Sequence, residues 1–363
     1  MEKRTVEECF YQIRNGANIK QGAVDGGFPI TRIETLANDK FHRDRMGYAG
    51  ITDIGKYESY VLEDGDLLMS HINSVQYLGR TVLYQKQGNE TIIHGMNLLG
   101  LKANRDIINP AYAKYYFYSP LFREQIGRIT KKSVNQASFA VADLKKLTIL
   151  LPTLNEQAQI VNVLDKINAL IELRRDELQK LDELIKARFI ELFDTDEYQK
   201  VPISKLVVGK VQSVKKVFSP SDEIKYIDIS SIDNKRNVMT GYTEYVLSEA
   251  PSRAQQHIKT GDIVISTVRP NLRNVAMAEF EDDNLVASSG FCVLRAAKCL
   301  PEYLLAIVCS DKFTDDMTKV VTGANYPAIK DSDVMNYQVA MPPMELQKEF
   351  ADFVHQVDKS KFI

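Results

Sequence analysis

The side chains in this sequence best suited to recognising another molecule lie in a few polar stretches. The richest is Val268-Arg-Pro-Asn-Leu-Arg-Asn274, where Arg269 and Arg273 offer guanidinium forks and Asn271 and Asn274 offer amides. Planar donor–acceptor groups of this kind match base edges, and Lys or Arg neutralises phosphates. Pro270 stiffens the stretch and lowers the cost of ordering it on binding. A second stretch, His71-Ile-Asn-Ser-Val-Gln-Tyr-Leu-Gly-Arg80, presents Asn73, Gln76, Tyr77 and Arg80. Two later stretches mix phosphate and base chemistry: Lys131, Lys132, Asn135 and Gln136 in one, Asn325, Tyr326 and Lys330 in the other. Arg43 with Arg45, and Lys235 with Arg236, are further basic pairs. The plain alternative for each stretch is a solvated surface turn.

Catalytic chemistry is poorly supplied. Cys9, Cys292, Cys299 and Cys309 form no CxxC pair, and the histidines at 42, 71, 94, 257 and 355 stand singly, so spacing supports no metal site. There is no GxGxxG turn for a methyl-donor cofactor and no GxxxxGK[ST] phosphate loop. Glu223-Ile-Lys225 lacks the upstream Pro-Asp that would complete a nuclease metal site. The expectation is a binding protein with no catalytic residues, metal or cofactor.

The elements that must carry these stretches follow from length and patterning. With 363 residues, 44% hydrophobic and 26% charged, the chain is ordinary globular material for two domains, or two plus a connector. It has no run of about 18 apolar residues, and its charged N-terminus is unlike a signal peptide. That predicts a cytoplasmic protein without a membrane span. The net charge is −2, but it is unevenly spread. Residues 1–153 hold 20 basic and 16 acidic side chains, residues 154–198 hold 6 and 11, and residues 199–340 hold 17 of each. An acidic connector thus masks a mildly basic first module.

Internal duplication is the strongest organisational signal. Asn135 falls on Asn325 and Asp143 on Asp333 at a shift of 190, and Leu151-Pro-Thr-Leu-Asn-Glu-Gln157 falls on Met341-Pro-Pro-Met-Glu-Leu-Gln347 at the same shift. Leu62-Glu-Asp-Gly-Asp-Leu-Leu-Met-Ser70 matches Ile258-Lys-Thr-Gly-Asp-Ile-Val-Ile-Ser266 at a shift of 196. Each copy predicts a β-rich body, with Gly-Asp turns at 65–66 and 261–262 leading into buried strands. A Pro-initiated helix, a polar loop, a strand ending in Pro and another helix follow. Asn109-Pro-Ala-Tyr112 superficially resembles an amino-methyltransferase signature, but Leu300-Pro-Glu-Tyr303 holds the equivalent place, so a Pro-initiated helix is the better reading.

In copy one, Leu164, Ile171, Leu178, Ile185 and Leu192 are spaced by seven, and Ile160, Ile167 and Leu181 fall four residues before three of them. This a/d seam predicts a long helix over 155–193, interrupted at its remaining d-type positions by Arg174 and Arg188. An apolar stripe on so long a helix needs a covering partner, and we read the helix as a coiled-coil spacer in preference to one lying on its own domain. Copy two starts the same helix at about Met344, with roughly half the expected length before Ile363.

With the duplication and heptads in place, the sequence resembles the specificity subunit of Type I restriction-modification systems. The resemblance is carried by LLPTLNEQAQIVNVLDKINALIELRRDELQKLDELIKARFIELF (150–193), TGANYPAIKDSDVMNYQVAMPPMELQKEFADFVHQVDK (322–359) and GDIVISTVRPNLRNVA (261–276). It implies an α+β chain: target-recognition domains over 1–153 and 199–343, a spacer helix over 154–198, and a shortened second conserved helix over 344–363. It further implies that each domain reads half of a split double-stranded DNA target, with the gap set by helix length. The helices would dock methyltransferase subunits, two of them, and a restriction/translocase subunit would complete the enzyme. The seam residues Leu164, Ile167, Ile171, Leu178, Leu181, Ile185 and Leu192 would then be partner-binding, and a methyltransferase subunit or another copy of this chain would cover what the short helix leaves open. The competing readings are a self-contained DNA methyltransferase or nuclease, and a truncated, inactive or scaffold variant.

Overall fold

The computed structural model describes residues 1–22, 27–134, 136–195, 197–323 and 327–361. It divides into two compact units, Met1–Glu172 and Leu173–Ile363.

In the first unit the central sheet runs Phe10–Asn15, Leu98–Ala103, Leu67–Ser70, Thr81–Leu83, antiparallel throughout. Leu67–Ser70, in the middle of the sheet, reads as a nearly continuous apolar run because both its faces are covered, whereas the edge strand Phe10–Asn15 mixes apolar and polar residues. Leu67, Met69, Leu99 and Leu101 face a core shared with the helices Pro110–Tyr118 and Pro120–Ile129, through Phe117 and Phe122. Leu68, Val82 and Leu98 point the other way, against Leu36, Tyr84 and Ile92. The period-2 alternation of a strand sorts these side chains into two cores. Glu2–Thr5 pairs antiparallel with Thr148–Leu151, the strand that ends in Pro152.

The second unit repeats this plan with an added sheet. Ile263–Ser266 is flanked antiparallel by Val275–Met277 and Phe291–Leu294, and Lys200–Pro202 pairs with Gln338–Ala340 as Glu2–Thr5 does with Thr148–Leu151. Ile263, Ile265, Cys292 and Leu294 face the helices Pro301–Val308 and Asp311–Lys319. Val264, Ala276 and Val293 face a second sheet, ordered Thr243–Val246, Glu223–Ile227, Leu285–Ser288, Ala254–His257.

The duplicated motifs carry the same buried contacts in both units. Gln157 is fully buried: its Oε1 accepts from the Asn109 N–H (2.8 Å), and its Nε2 donates to the carbonyls of Ile107 (3.1 Å) and Pro152 (3.0 Å). Gln347 likewise accepts from the Leu300 N–H (2.9 Å) and donates to the Pro342 carbonyl (2.9 Å). Tyr112 and Tyr303 donate to the carbonyls of Leu150 (2.7 Å) and Ala340 (2.9 Å). The Pro-x-x-x-x-Gln spacing is therefore a latch that ties each helix start to the Pro-initiated helix, and Asn109 serves as that helix's N-cap. The Gly-Asp turns are equally alike. Gly65 and Gly261 take φ of +89° and +84°, and Asp66 and Asp262 each cap the backbone N–H three residues back, at 2.9 and 2.8 Å. The capping carboxylates meet a cation on or just past the neighbouring strand: Lys102 at 3.3 Å from Asp66, and Arg295, directly after Phe291–Leu294, in a fork of 2.7 and 2.8 Å on Asp262. Burial pushes the Asp66 carboxyl up, against the pull of the Glu63 N–H and Lys102.

The long helix spans Leu154–Phe193. Its last turns are covered: Phe189 and Phe193 pack their rings on Phe350 of the helix Met344–Ser360 and on Tyr303. The two arginines that break the heptad seam also reach this second helix. Arg188 pairs with Glu349 and Glu191, and Arg174 donates to the Lys361 carbonyl at 2.7 Å. Leu178, Leu181, Ile185 and Leu192 are half-buried, as is Leu164, whereas Ile167 and Ile171 stay 46% and 44% exposed.

Candidate nucleic-acid interface

In each unit the structure brings together the two polar stretches that lie far apart in sequence. In the first, Ile72–Asn73 pairs with Ala137–Ser138, which pairs on its other side with Lys131–Lys132. Ala137 thus has Asn73 on one flank and Lys132 on the other, and the Phe139 N–H donates to the His71 carbonyl at 3.2 Å. In the second, Ala328 bridges Val268 on one side and Thr322 on the other, and the Ile329 N–H donates to the Thr267 carbonyl at 2.9 Å. The second pattern is the first displaced by the sequence repeat, so each unit presents one composite polar ribbon at the end of a fully buried strand. Asn135, Asn325 and Tyr326 lie outside the described residues.

On the first ribbon Lys131, Lys132, Gln136, Gln76 and Tyr77 are exposed. Asn73 is spent locally, its Nδ2 on Ser70 Oγ (3.2 Å) and its Oδ1 on the Ser74 N–H (2.8 Å). Arg80 is half-buried, pairs with Asp39 at 2.9 Å and lies over the Tyr77 ring at 4.5 Å, so in this state it orients Tyr77.

On the second ribbon Arg269 and Asn271 are exposed, as is Lys330, whose N–H is capped by Asp333 at 2.8 Å. Asn274 is buried, and its carbonyl accepts from the Ser266 N–H at 2.9 Å. Its place is at the base of the loop. Arg269 and Arg273 both adopt left-handed backbone, φ +51° and +55°, on either side of the short helix Pro270–Leu272. Non-glycine residues there cost about 1 kcal/mol or more each, so surrounding contacts must hold them. Those contacts are visible. The Arg269 N–H donates to the Pro327 carbonyl (2.8 Å), and Arg273 pairs with Asp311 at 2.5 Å. Asn234 Nδ2 donates to the Leu272 carbonyl (2.7 Å), and Asn237 Nδ2 to the carbonyls of Arg273 and Val275 (both 3.2 Å). Sequence reasoning missed Asn234 and Asn237. Their only signal was the Asp-Asn-Lys-Arg-Asn turn composition.

The other basic pairs divide. Arg43 is held by Glu90 at 2.6 Å, and its hydrogen bond brings that carboxyl down to about 2. Lys235 and Arg236 are exposed, and neither forms an ion pair among the described residues.

Burial raises all four cysteine thiols, Cys9 and Cys299 to about 11 and Cys292 and Cys309 to about 12, far from the thiolate a nucleophile requires. Among the described residues no group of His, Cys, Asp and Glu side chains could hold a metal ion, and no helix is long and apolar enough to cross a membrane.

Comparison with known proteins agrees with this duplicated plan. Residues 1–183 and 197–363 each match the Type I restriction modification DNA specificity domain. A protein of Methanocaldococcus jannaschii named as the MjaX type I restriction enzyme specificity subunit is 28% identical, over 98% of this chain and 86% of its own length. The EcoKI specificity subunit of Escherichia coli K12 is 25% identical over 46% of this chain and 36% of its own. In fold, the crystal structure of the Type-I restriction-modification system S subunit from M. genitalium covers 99% of this chain and 90% of its own at TM-score 0.57 and 14% identity. The chain belongs to the Type I restriction modification DNA specificity family and carries its domain twice.

Proposed function

We infer that this chain is the DNA-reading specificity subunit of a Type I restriction-modification system and that it performs no catalysis itself. The observation that carries this reading is the repeated ribbon: two sequence-distant polar stretches joined by backbone hydrogen bonds, once in each unit. Two such heads in one chain suit a bipartite target, with half-site spacing set by protein geometry. In the first head Lys131 and Lys132 serve as phosphate contacts, Gln76, Tyr77, Gln136 and Asn135 serve the base edges, and Asn73, bonded to Ser70 and Ser74, shapes the loop. In the second, Arg269 and Asn271 read bases, Arg273 joins once released from Asp311, Lys330 contacts phosphate, Asn325 and Tyr326 of the same stretch add base contacts, and Asn274 supports the loop. The exposed stripe through Ile167 and Ile171 docks a methyltransferase subunit, two such subunits and a restriction/translocase subunit complete the assembly, and the complex works in the cytoplasm. The test is long-read methylation sequencing of DNA from cells carrying the methyltransferase partner with and without this chain. A split motif appearing only with the chain supports the reading; unchanged methylation with both proteins expressed refutes it.

A further inference from the structure

Resting on the reading that the 268–274 loop faces DNA, we propose that the Asp233–Asn237 turn is a third DNA-contacting element of the second unit. In this reading Lys235 and Arg236 contact backbone phosphates, and Asn234 and Asn237 are positioning residues for the arginine loop. The turn joins Ile232–Asp233 to Val238–Met239, an antiparallel pair at the edge of the central sheet. Asp233 Oδ1 accepts from the N–H groups of both Lys235 (3.0 Å) and Arg236 (3.3 Å), so the backbone beneath the two cations is locked. Asn237 sits at φ +54°, which Asn tolerates better than most residues. From that fixed turn the amides of Asn234 and Asn237 reach the carbonyls of Leu272, Arg273 and Val275. These three hydrogen bonds place the turn directly against the loop whose two arginines occupy a conformation they would not adopt alone.

In charge this turn resembles the exposed Lys131–Lys132 pair and differs from three arginines of the candidate stretches. Arg43, Arg80 and Arg273 are each committed to a carboxylate, to Glu90, Asp39 and Asp311 respectively. Lys235 and Arg236 are exposed without an ion pair among the described residues, on the element that clasps the loop. Cations held so close to a base-reading loop fit the phosphates that flank the bases it reads, which fixes register without carrying sequence information.

The test uses the full chain with its methyltransferase partner. Binding is measured by fluorescence polarisation on a duplex carrying the sequenced motif and on a mixed-sequence duplex, across a salt series. K235Q/R236Q should reduce the magnitude of the log–log salt slope by about 1–2, since each phosphate contact contributes about 0.9, and should weaken both duplexes alike. N237G keeps the left-handed backbone and removes the amide. It should lower discrimination against a changed second half-site by about tenfold, leaving the salt slope and first half-site discrimination unchanged. R269A/R273A separates the two levels of inference. If it weakens motif binding while K235Q/R236Q leaves the slope unchanged, the turn does not touch DNA and this proposal fails alone. If R269A/R273A has no effect, the loop reading fails and takes the proposal with it. If N237G lowers discrimination at both half-sites equally, its role is general folding and the positioning assignment is wrong.

Discussion

Replacing Gln157 by Leu keeps nearly the same volume but removes every polar contact of the first latch. The Asn109 N–H loses its acceptor, and the carbonyls of Ile107 and Pro152 lose a donor, in a site from which water is excluded. A buried group left without a partner costs about 1–3 kcal/mol, and the orphaned N–H dominates, since a carbonyl tolerates a missing donor better. The expected loss for Q157L is about 3 kcal/mol, and for Q347L, which strips one N–H and one carbonyl, about 2 kcal/mol. For units of this size that corresponds to roughly 6–12 °C and 4–8 °C in Tm. Urea and thermal unfolding followed by far-UV circular dichroism and tyrosine emission, the chain having no tryptophan, measures both. Because the sites lie in different units, the double variant should show the summed loss. A change below about 0.5 kcal/mol in both variants would refute the latch, because it lies within the range of ordinary surface substitutions.

Three further outcomes follow from the same contacts. Burial holds the His94 imidazole down to about 4, so the folded protein keeps it neutral while the unfolded chain takes up a proton below its ordinary pKa near 6.5. Stability from this group is complete above that value and is lost as pH falls towards 4, so wild type should lose about 3 kcal/mol more than H94N between roughly pH 7.5 and 4 in urea titrations. Equal losses would refute the assignment. An alanine at Gly100 would put its Cβ 2.7 Å from His94 Cε1, so G100A should cost about 1–3 kcal/mol by overpacking, read as a lower urea midpoint. Ile167 and Leu170, 46% and 65% exposed, can be changed to Asp with little effect on melting but should abolish co-purification of a tagged methyltransferase subunit. Retained co-purification would place docking elsewhere.

Much of this architecture was legible because the sequence repeats what the fold buries. Gln157 and Gln347, Asp66 and Asp262, and Gly65 and Gly261 recur at near-constant shifts because each pair performs the same buried task. The long helix was legible from its heptads, but the meaning of Arg174 and Arg188 was not. They read as flaws in a seam, yet each reaches the Met344–Ser360 helix or its end, a partner invisible to periodicity. The added sheet of the second unit was also missed. Glu223–Ile227 pairs parallel with Leu285–Ser288, some 60 residues away, and short strands with remote partners leave little local pattern. At the interface, composition picked out loops but not their pairing. Nor could it show that Arg269 and Arg273 are left-handed, since no glycine marks a conformation held by Asn234, Asn237 and Pro327.

We infer that each unit reads its own half of one target. This is tested most directly by long-read methylation sequencing of cells expressing the methyltransferase partner with wild-type chain, Q76A/Y77A or R269A/R273A. Q76A/Y77A should relax or alter one half of the split motif, R269A/R273A should alter the other half, and the spacing between halves should be unchanged in both. If both variants altered the same half, or if either left the full motif intact, the two-headed reading would be contradicted.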